Sequence, residues 1–250
     1  MTAVQPEYES WALFWGAARR PAFAQRFPIQ YWYFRHPQVV PDPTNPAPPG
    51  QMRLKGALSD PSVDPEALEQ ADGIARVIRP MQFTQVLSSP LQRAHTPACL
   101  MAGIVNPQLA VQKQEFLKEW DFGKATNRAV DDYRHPSPNC ELAQKFPQLV
   151  TAWNEQPFGM RMPMGESLFR FYIRVSDGIK LVDSDLQSQA NCRMLMLGHG
   201  YVGMAMLCVH LNIEFQNMFT LPLLDPLGLM VFGRQSWDSP AKLLFLGRVD

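Results

Sequence analysis

The 250-residue sequence has no surplus charge of either sign: 23 Lys and Arg face 23 Asp and Glu, for a formal net charge of zero. That balance excludes an extended nucleic-acid surface, which needs an excess of basic side chains to neutralise phosphates. It still leaves room for a small anion pocket. Charged residues are few, 18% of the chain, against 46% hydrophobic residues. Such a composition argues against long disorder and for a globular core. Cysteine is scarce. Cys99, Cys140, Cys192 and Cys208 form no C-x-x-C pair and read as free thiols of a cytoplasmic protein.

Long hydrophobic runs are also missing. The stretch from Trp11 to Trp15 lies between Glu7, Glu9, Arg19 and Arg20, and is too short and too flanked by charge for a signal peptide or a membrane span. A soluble protein with no membrane partner is expected. There is no H-E-x-x-H or similar ligand set, so no metal is expected. No internal repeat and no domain-splitting linker can be found, and the length suits one large domain. Residues 1–29 read as an N-terminal extension, with Trp11, Phe14 and Trp15 on one short amphipathic helix; residues 30–250 read as the main domain. The helix either packs on the body or serves as a lid or homodimer contact.

Proline is plentiful. Pro37, Pro41, Pro43, Pro46, Pro48 and Pro49 mark a loop straight after an aromatic strand, Gln30 to Phe34. Asp64 and Pro65 open a helix whose apolar face is Leu68, Ala71, Ile74, Ala75 and Ile78. Phe83 to Leu87 reads as a strand. Ser88-Ser89-Pro90 then reads as a helix cap with Pro in the first turn, and Leu91 to Met101 as the helix. A short strand at Leu109 to Val111, a helix from Glu166 to Val182, a buried strand Met194 to Leu197 and a helix Val202 to His210 follow. Late strands fall at Leu229 to Phe232 and Leu243 to Leu246. Alternating strands and helices predict an α/β three-layer sandwich, a mostly parallel sheet with helices on both faces.

Ligands of open α/β sheets bind at the carboxyl ends of strands. Three predicted strand ends carry Arg35-His36, Ser88 to Arg93, and Gly198-His199-Gly200. Two arginines supply planar donor forks for phosphate oxygens. Two histidines supply a ring nitrogen that is nucleophilic near neutral pH.

In this order the motifs resemble the histidine phosphatase superfamily, with its phosphoglycerate mutase-like fold. The resemblance runs from about Tyr31 to about Phe232, and Ser88 to Ala94 with Thr96 is its most specific block. Leu117-Lys118-Glu119 with Phe122-Gly123 resembles the proton-donor block, and Pro163, Gly165 to Ser167 and Arg174 a later helical block. The resemblance implies that His36 takes the phosphoryl group. It implies that Arg35, Arg93 and His199 bind the phosphate, and that Glu119 protonates the leaving oxygen and then activates water. Glu115 is the alternative acid if the register slips, and Glu166 reads as a first-turn helix carboxylate. His95, His135 and His210 receive no role; the alternative for His95, close to Arg93, is the edge of the pocket.

Pro37 replaces the usual glycine after Arg-His, as in the α-ribazole phosphatase-like branch, whose Pro-Gly-Gly-Glu-Ser block resembles Pro163 to Ser167. Lys124 to Asn127 stands where an acidic pair often follows Phe-Gly, and Asn45 is the candidate for an asparagine often found after the first motif. The expected activity is metal-independent hydrolysis of a small phosphorylated metabolite, without a cofactor. The alternatives are a catalytically weak or inactive relative that binds a phosphate ester or phosphoprotein, and a phosphoglycerate mutase-type phosphotransferase using Arg53 and Lys55. Gly198, Gly200 and Gly203 also match a dinucleotide fingerprint with Asp225 behind it, but too little chain follows for a complete nucleotide domain.

Overall fold

Residues 4–249 are described by a computed structural model. In chain order, α1 (Trp11–Ala18) and α2 (Pro21–Arg26) precede β1 (Ile29–Arg35), and β2 (Met52–Arg53) follows the proline-rich loop. Next come α3 (Pro65–Ile78), β3 (Gln85–Ser88), α4 (Gln92–Val105), β4 (Val111–Lys113) and β5 (Ala129–Val130). Then follow α5 (Glu141–Lys145), α6 (Pro147–Glu155), α7 (Leu168–Leu186), β6 (Cys192–Gly198), α8 (Gly200–Leu211), β7 (Leu229–Arg234) and β8 (Lys242–Gly247).

The main sheet has the order β4-β3-β6-β1-β7-β8. The first four strands are mutually parallel, and β7 and β8 run antiparallel at one edge. Side chains alternate across it. Tyr31, Tyr33, Met194 and Met196 join one core with α7 and α8, where Phe171, Val175, Ile179 and Leu207 are buried. Trp32, Phe34, Leu195 and Leu197 join the other, with Ala75 and Ile78 of α3 and Ala98 and Met101 of α4. Central strands buried on both faces are apolar throughout, which accounts for the continuous runs in the sequence. The structure is the expected α/β sandwich.

The N-terminal segment forms two helices where the sequence suggested one. Its face is packed on the body: Phe14 is fully buried and stacks on Phe245 at 5.3 Å, with Trp32 at the same distance. Glu7 and Tyr8 donate backbone N–H groups to Leu243 and Leu244 of β8. Met1 to Ala3 of the expected extension lie outside the described residues. None of the described helices is long and apolar enough to cross a membrane.

Candidate active site

Sheet register brings the motifs together. Arg35 pairs with Gly198 across β1 and β6, and Ser88 pairs with Leu197 across β6 and β3. The residues just past each strand, His36, His199 and Ser89, therefore stand side by side. The His36 and His199 ring centroids are 5.1 Å apart. Arg35, His36, Arg93 and Glu119 all line one pocket of about 560 Å³.

His36 Nδ1 lies 2.7 Å from the Pro37 carbonyl oxygen. A carbonyl can only accept, so the proton sits on Nδ1 and Nε2 keeps its lone pair. Pro37 removes an N–H from the loop but preserves the carbonyl that sets this tautomer. Burial holds the His36 pKa well below the ordinary imidazole value, and Arg93 and Arg35 push the same way.

His199 is fully buried, and its Nε2 is 2.8 Å from Ser89 Oγ. The Ser89 oxygen accepts the Leu91 N–H. Tyr33 donates its hydroxyl to the His199 carbonyl at 2.6 Å. A Cβ at Gly198 would meet that hydroxyl at 2.5 Å, so this position needs glycine for close packing. Gly203 faces the same Tyr33 ring and Met230, so these glycines serve packing against β1 and β7.

Arg93 is buried, and is held by the Ser59 carbonyl, by the Gly56 carbonyl at 2.8 Å and by Asp60 at 3.4 Å. Arg35 donates to the Leu224 carbonyl at 2.5 Å. Arg35 Nε, Arg93 Nε and His199 Nδ1 are buried atoms with no hydrogen-bond partner in the protein. Buried polar atoms left unpaired are costly; Arg35 and Arg93 line the pocket, whereas His199 does not line it and has its ring 5.1 Å from that of His36.

Glu119 is 8% exposed. It accepts the Trp120 N–H at 2.9 Å and the Tyr201 N–H, in the first turn of α8, at 3.4 Å. Burial raises its pKa, and this outweighs the opposing pull of these N–H groups and of both arginines. The raised pKa favours the protonated carboxyl that a general acid requires. Glu115, the alternative acid, has a side chain 77% exposed beside Lys118 and does not line the pocket.

Several local readings are corrected. Ser88-Ser89-Pro90 is not a helix cap: α4 starts at Gln92, Ser88 bonds His95 at 2.8 Å and Ser89 bonds His199. The capping carboxylate comes from Asp60, which accepts the Gln92 N–H at 2.6 Å and the Arg93 N–H at 3.3 Å. Glu166 lies before the N-cap Ser167 rather than in the first turn of α7, and forms a two-pronged pair with Arg174 at 2.9 and 3.1 Å. Arg174 also donates to the Glu115, Phe116 and Lys118 carbonyls, tying down the segment that carries Glu119. His95 is bound to Ser88 and Cys99 and is absent from the pocket lining. Arg53, the extra cation of the mutase reading, is engaged by the Asn45, Pro46 and Asn127 carbonyls and by Glu141. Asn45 lines the pocket. His210 is buried between Tyr31 and Phe232, and its pKa is lowered to about 3 by burial and Arg234. The partners of these groups, Tyr33, Asp60 and Tyr201, carry no local sequence signal, because only the fold brings them to the site.

Comparison with known proteins bears on the fold and the family. Phosphoserine phosphatase 1 of Hydrogenobacter thermophilus is 26% identical over 168 residues, covering 67% of this chain and 72% of that protein. A mycobacterial glucosyl-3-phosphoglycerate phosphatase superposes with a TM-score of 0.69 at 17% identity, covering 88% of this chain and 99% of that one. The α-ribazole phosphatase of Shigella flexneri superposes with a TM-score of 0.68 at 20% identity, covering 88% and 97%. The family model for the histidine phosphatase superfamily (branch 1) matches residues 35–242, from the first arginine of the site to the last strand, and the chain belongs to that superfamily.

Proposed function

We propose that this phosphatase hydrolyses small phosphate monoesters through a phosphohistidine on His36, without a metal. The observation that carries the reading is the convergence of Arg35, His36, Arg93 and Glu119 on one pocket, with the His36 proton held on Nδ1 and the His199 ring 5.1 Å away. In the first step the Nε2 lone pair attacks phosphorus and the P–O bond to the alcohol breaks. Glu119 gives its proton to the departing oxygen. In the second step water attacks the phosphohistidine, Glu119 takes the water proton, and the P–N bond breaks. Inorganic phosphate leaves, and His36 returns with its proton still on Nδ1.

The two guanidinium groups and His199 stabilise charge on the equatorial oxygens, which is most of what phosphoryl transfer requires. Splitting one displacement into two also lowers each barrier. The names of the relatives span three substrates, so superfamily membership selects none of them.

The test is hydrolysis of para-nitrophenyl phosphate in the presence of EDTA, for wild type and His36→Ala. Turnover by wild type alone is expected. Equal turnover in both overturns the assignment, and none in either favours a protein that only binds phosphate esters. Trapping labelled phosphohistidine in His199→Ala separates nucleophile from stabiliser.

A further inference from the structure

The site pocket is much larger than a phosphoryl group. Its 560 Å³ lies in the range of about 300–1,000 Å³ typical of pockets for drug-sized ligands. Its phosphate end is defined by Arg35, His36, Arg93 and Glu119. The remainder has an apolar part, lined by Val39, Met52, Phe122, Tyr133, Leu223 and Leu224, and a polar part that includes Asn45, Lys55 and Asp225. The Tyr133 hydroxyl is spent on the Arg53 carbonyl at 3.2 Å, so its ring contributes apolar surface.

Charge in this outer part is nearly balanced. Arg53 is neutralised by Glu141 and fully occupied by carbonyls. Lys55 also lines the pocket, half-buried and without an ion pair among the described residues, and Asp42 and Asp225 add two carboxylates to the lining. Beyond the two phosphate-binding arginines the lining therefore carries no net positive charge. An apolar group gains by leaving water along the apolar part of this lining.

Resting on the phosphatase reading above, we infer that the enzyme acts on monoesters of a bulky, mostly apolar alcohol. Polar edges on that alcohol meet the amides of Gln38 and Gln51, which also line the pocket.

The test compares kcat/KM for ethyl, phenethyl and naphthylethyl phosphate with that for phosphoserine and phosphoglycolate. The first three release primary alcohols of similar acidity, so their differences report binding of the alcohol. Naphthylethyl phosphate is expected to exceed ethyl phosphate and phosphoserine at least tenfold. In Met52→Trp, which fills the apolar part of the pocket, the naphthylethyl-to-ethyl ratio is expected to fall at least tenfold. Equal kcat/KM for the small and bulky esters, or preference for the carboxylated ones, overturns the inference while leaving the phosphatase reading in place. No turnover of any ester overturns that reading and this inference with it. If Met52→Trp does not fold, the wild-type series still decides.

Discussion

Replacing Arg174 with methionine tests how Glu119, the proposed proton donor, is held. Arg174 lies outside the pocket lining, and its links to catalysis are its bonds to the chain from Glu115 to Glu119. The substitution removes a two-pronged ion pair with Glu166 and donors to the carbonyls of Glu115, Phe116 and Lys118. Side-chain exposures of 26% and 17% for the pair place it between the surface and buried regimes. Charge-assisted bonds contribute about 1.5–3 kcal/mol each when buried. Partial exposure and the retained methionine packing on Phe171 reduce the total to roughly 2–3 kcal/mol. For a chain of this size that corresponds to a Tm lower by about 4–12 °C.

The effect on catalysis is separable from the effect on stability. A displacement of about 1 Å at a reacting group can cost about 10²-fold. That loss falls on Glu119, whose proton matters for a poor leaving group and hardly at all for para-nitrophenolate. Arg174→Met is therefore expected to lower kcat/KM, which reports the first phosphoryl transfer, for ethyl phosphate by about 10²-fold and for para-nitrophenyl phosphate by less than about threefold, in protein shown folded by urea titration. Arg174→Lys keeps the charge but loses the planar fork, and should recover only part of the difference. Equal losses on both substrates, or no loss on either, would refute the positioning argument.

Four further outcomes follow from the same structure. Glu119→Gln should lower turnover of an alkyl phosphate by about 10²–10⁴-fold and yet raise Tm above neutral pH. The folded-state pKa of Glu119 is raised, so its penalty develops as pH rises from the ordinary carboxyl value through the raised one; the Tm advantage of Gln should vanish below that window. The pH profile of kcat/KM, corrected for ionisation of the ester, should rise through the lowered His36 pKa and fall through the raised Glu119 pKa. Glu119→Gln should remove the alkaline limb alone. Ser89→Ala leaves His199 Nε2 without its partner and should cost about tenfold in kcat/KM, with Ser89→Thr restoring most of it. Phe14→Ala should destabilise the protein by about 3–5 kcal/mol in urea while turnover per folded molecule stays unchanged, because Phe14 is packed under the sheet away from the pocket.

Much was legible in the sequence because it follows from local rules. Strands at Tyr31 and Met194 are apolar on both faces, so their runs announced a covered parallel sheet. Leu168, Phe171, Val175, Ile179 and Val182 recur at helical spacing and all are buried. The Arg-His, Ser-to-Arg93 and Gly-His-Gly motifs pointed to phosphate because residue type alone dictates that chemistry. Element boundaries were less legible. Ser88 and Ser89 have the composition of a helix cap, but their hydroxyls bond His95 and His199 instead, and Asp60 caps α4 from 32 residues away.

The sequence alone determined which groups are available: two arginines, two histidines and a carboxyl, in an order compatible with strand ends, within a chain of zero net charge. It left Glu115 and Glu119 open as acids and Arg53 open as a substrate cation. Tertiary structure decided these points. The β1–β6–β3 register set the histidines side by side, and the tie to Arg174 and α8 buried Glu119 while Glu115 stayed in water. Glu141 and three carbonyls removed Arg53 from use. The reason is physical: residue type sets what a group can do, whereas its pKa, tautomer and free hydrogen-bonding capacity depend on neighbours distant in the chain.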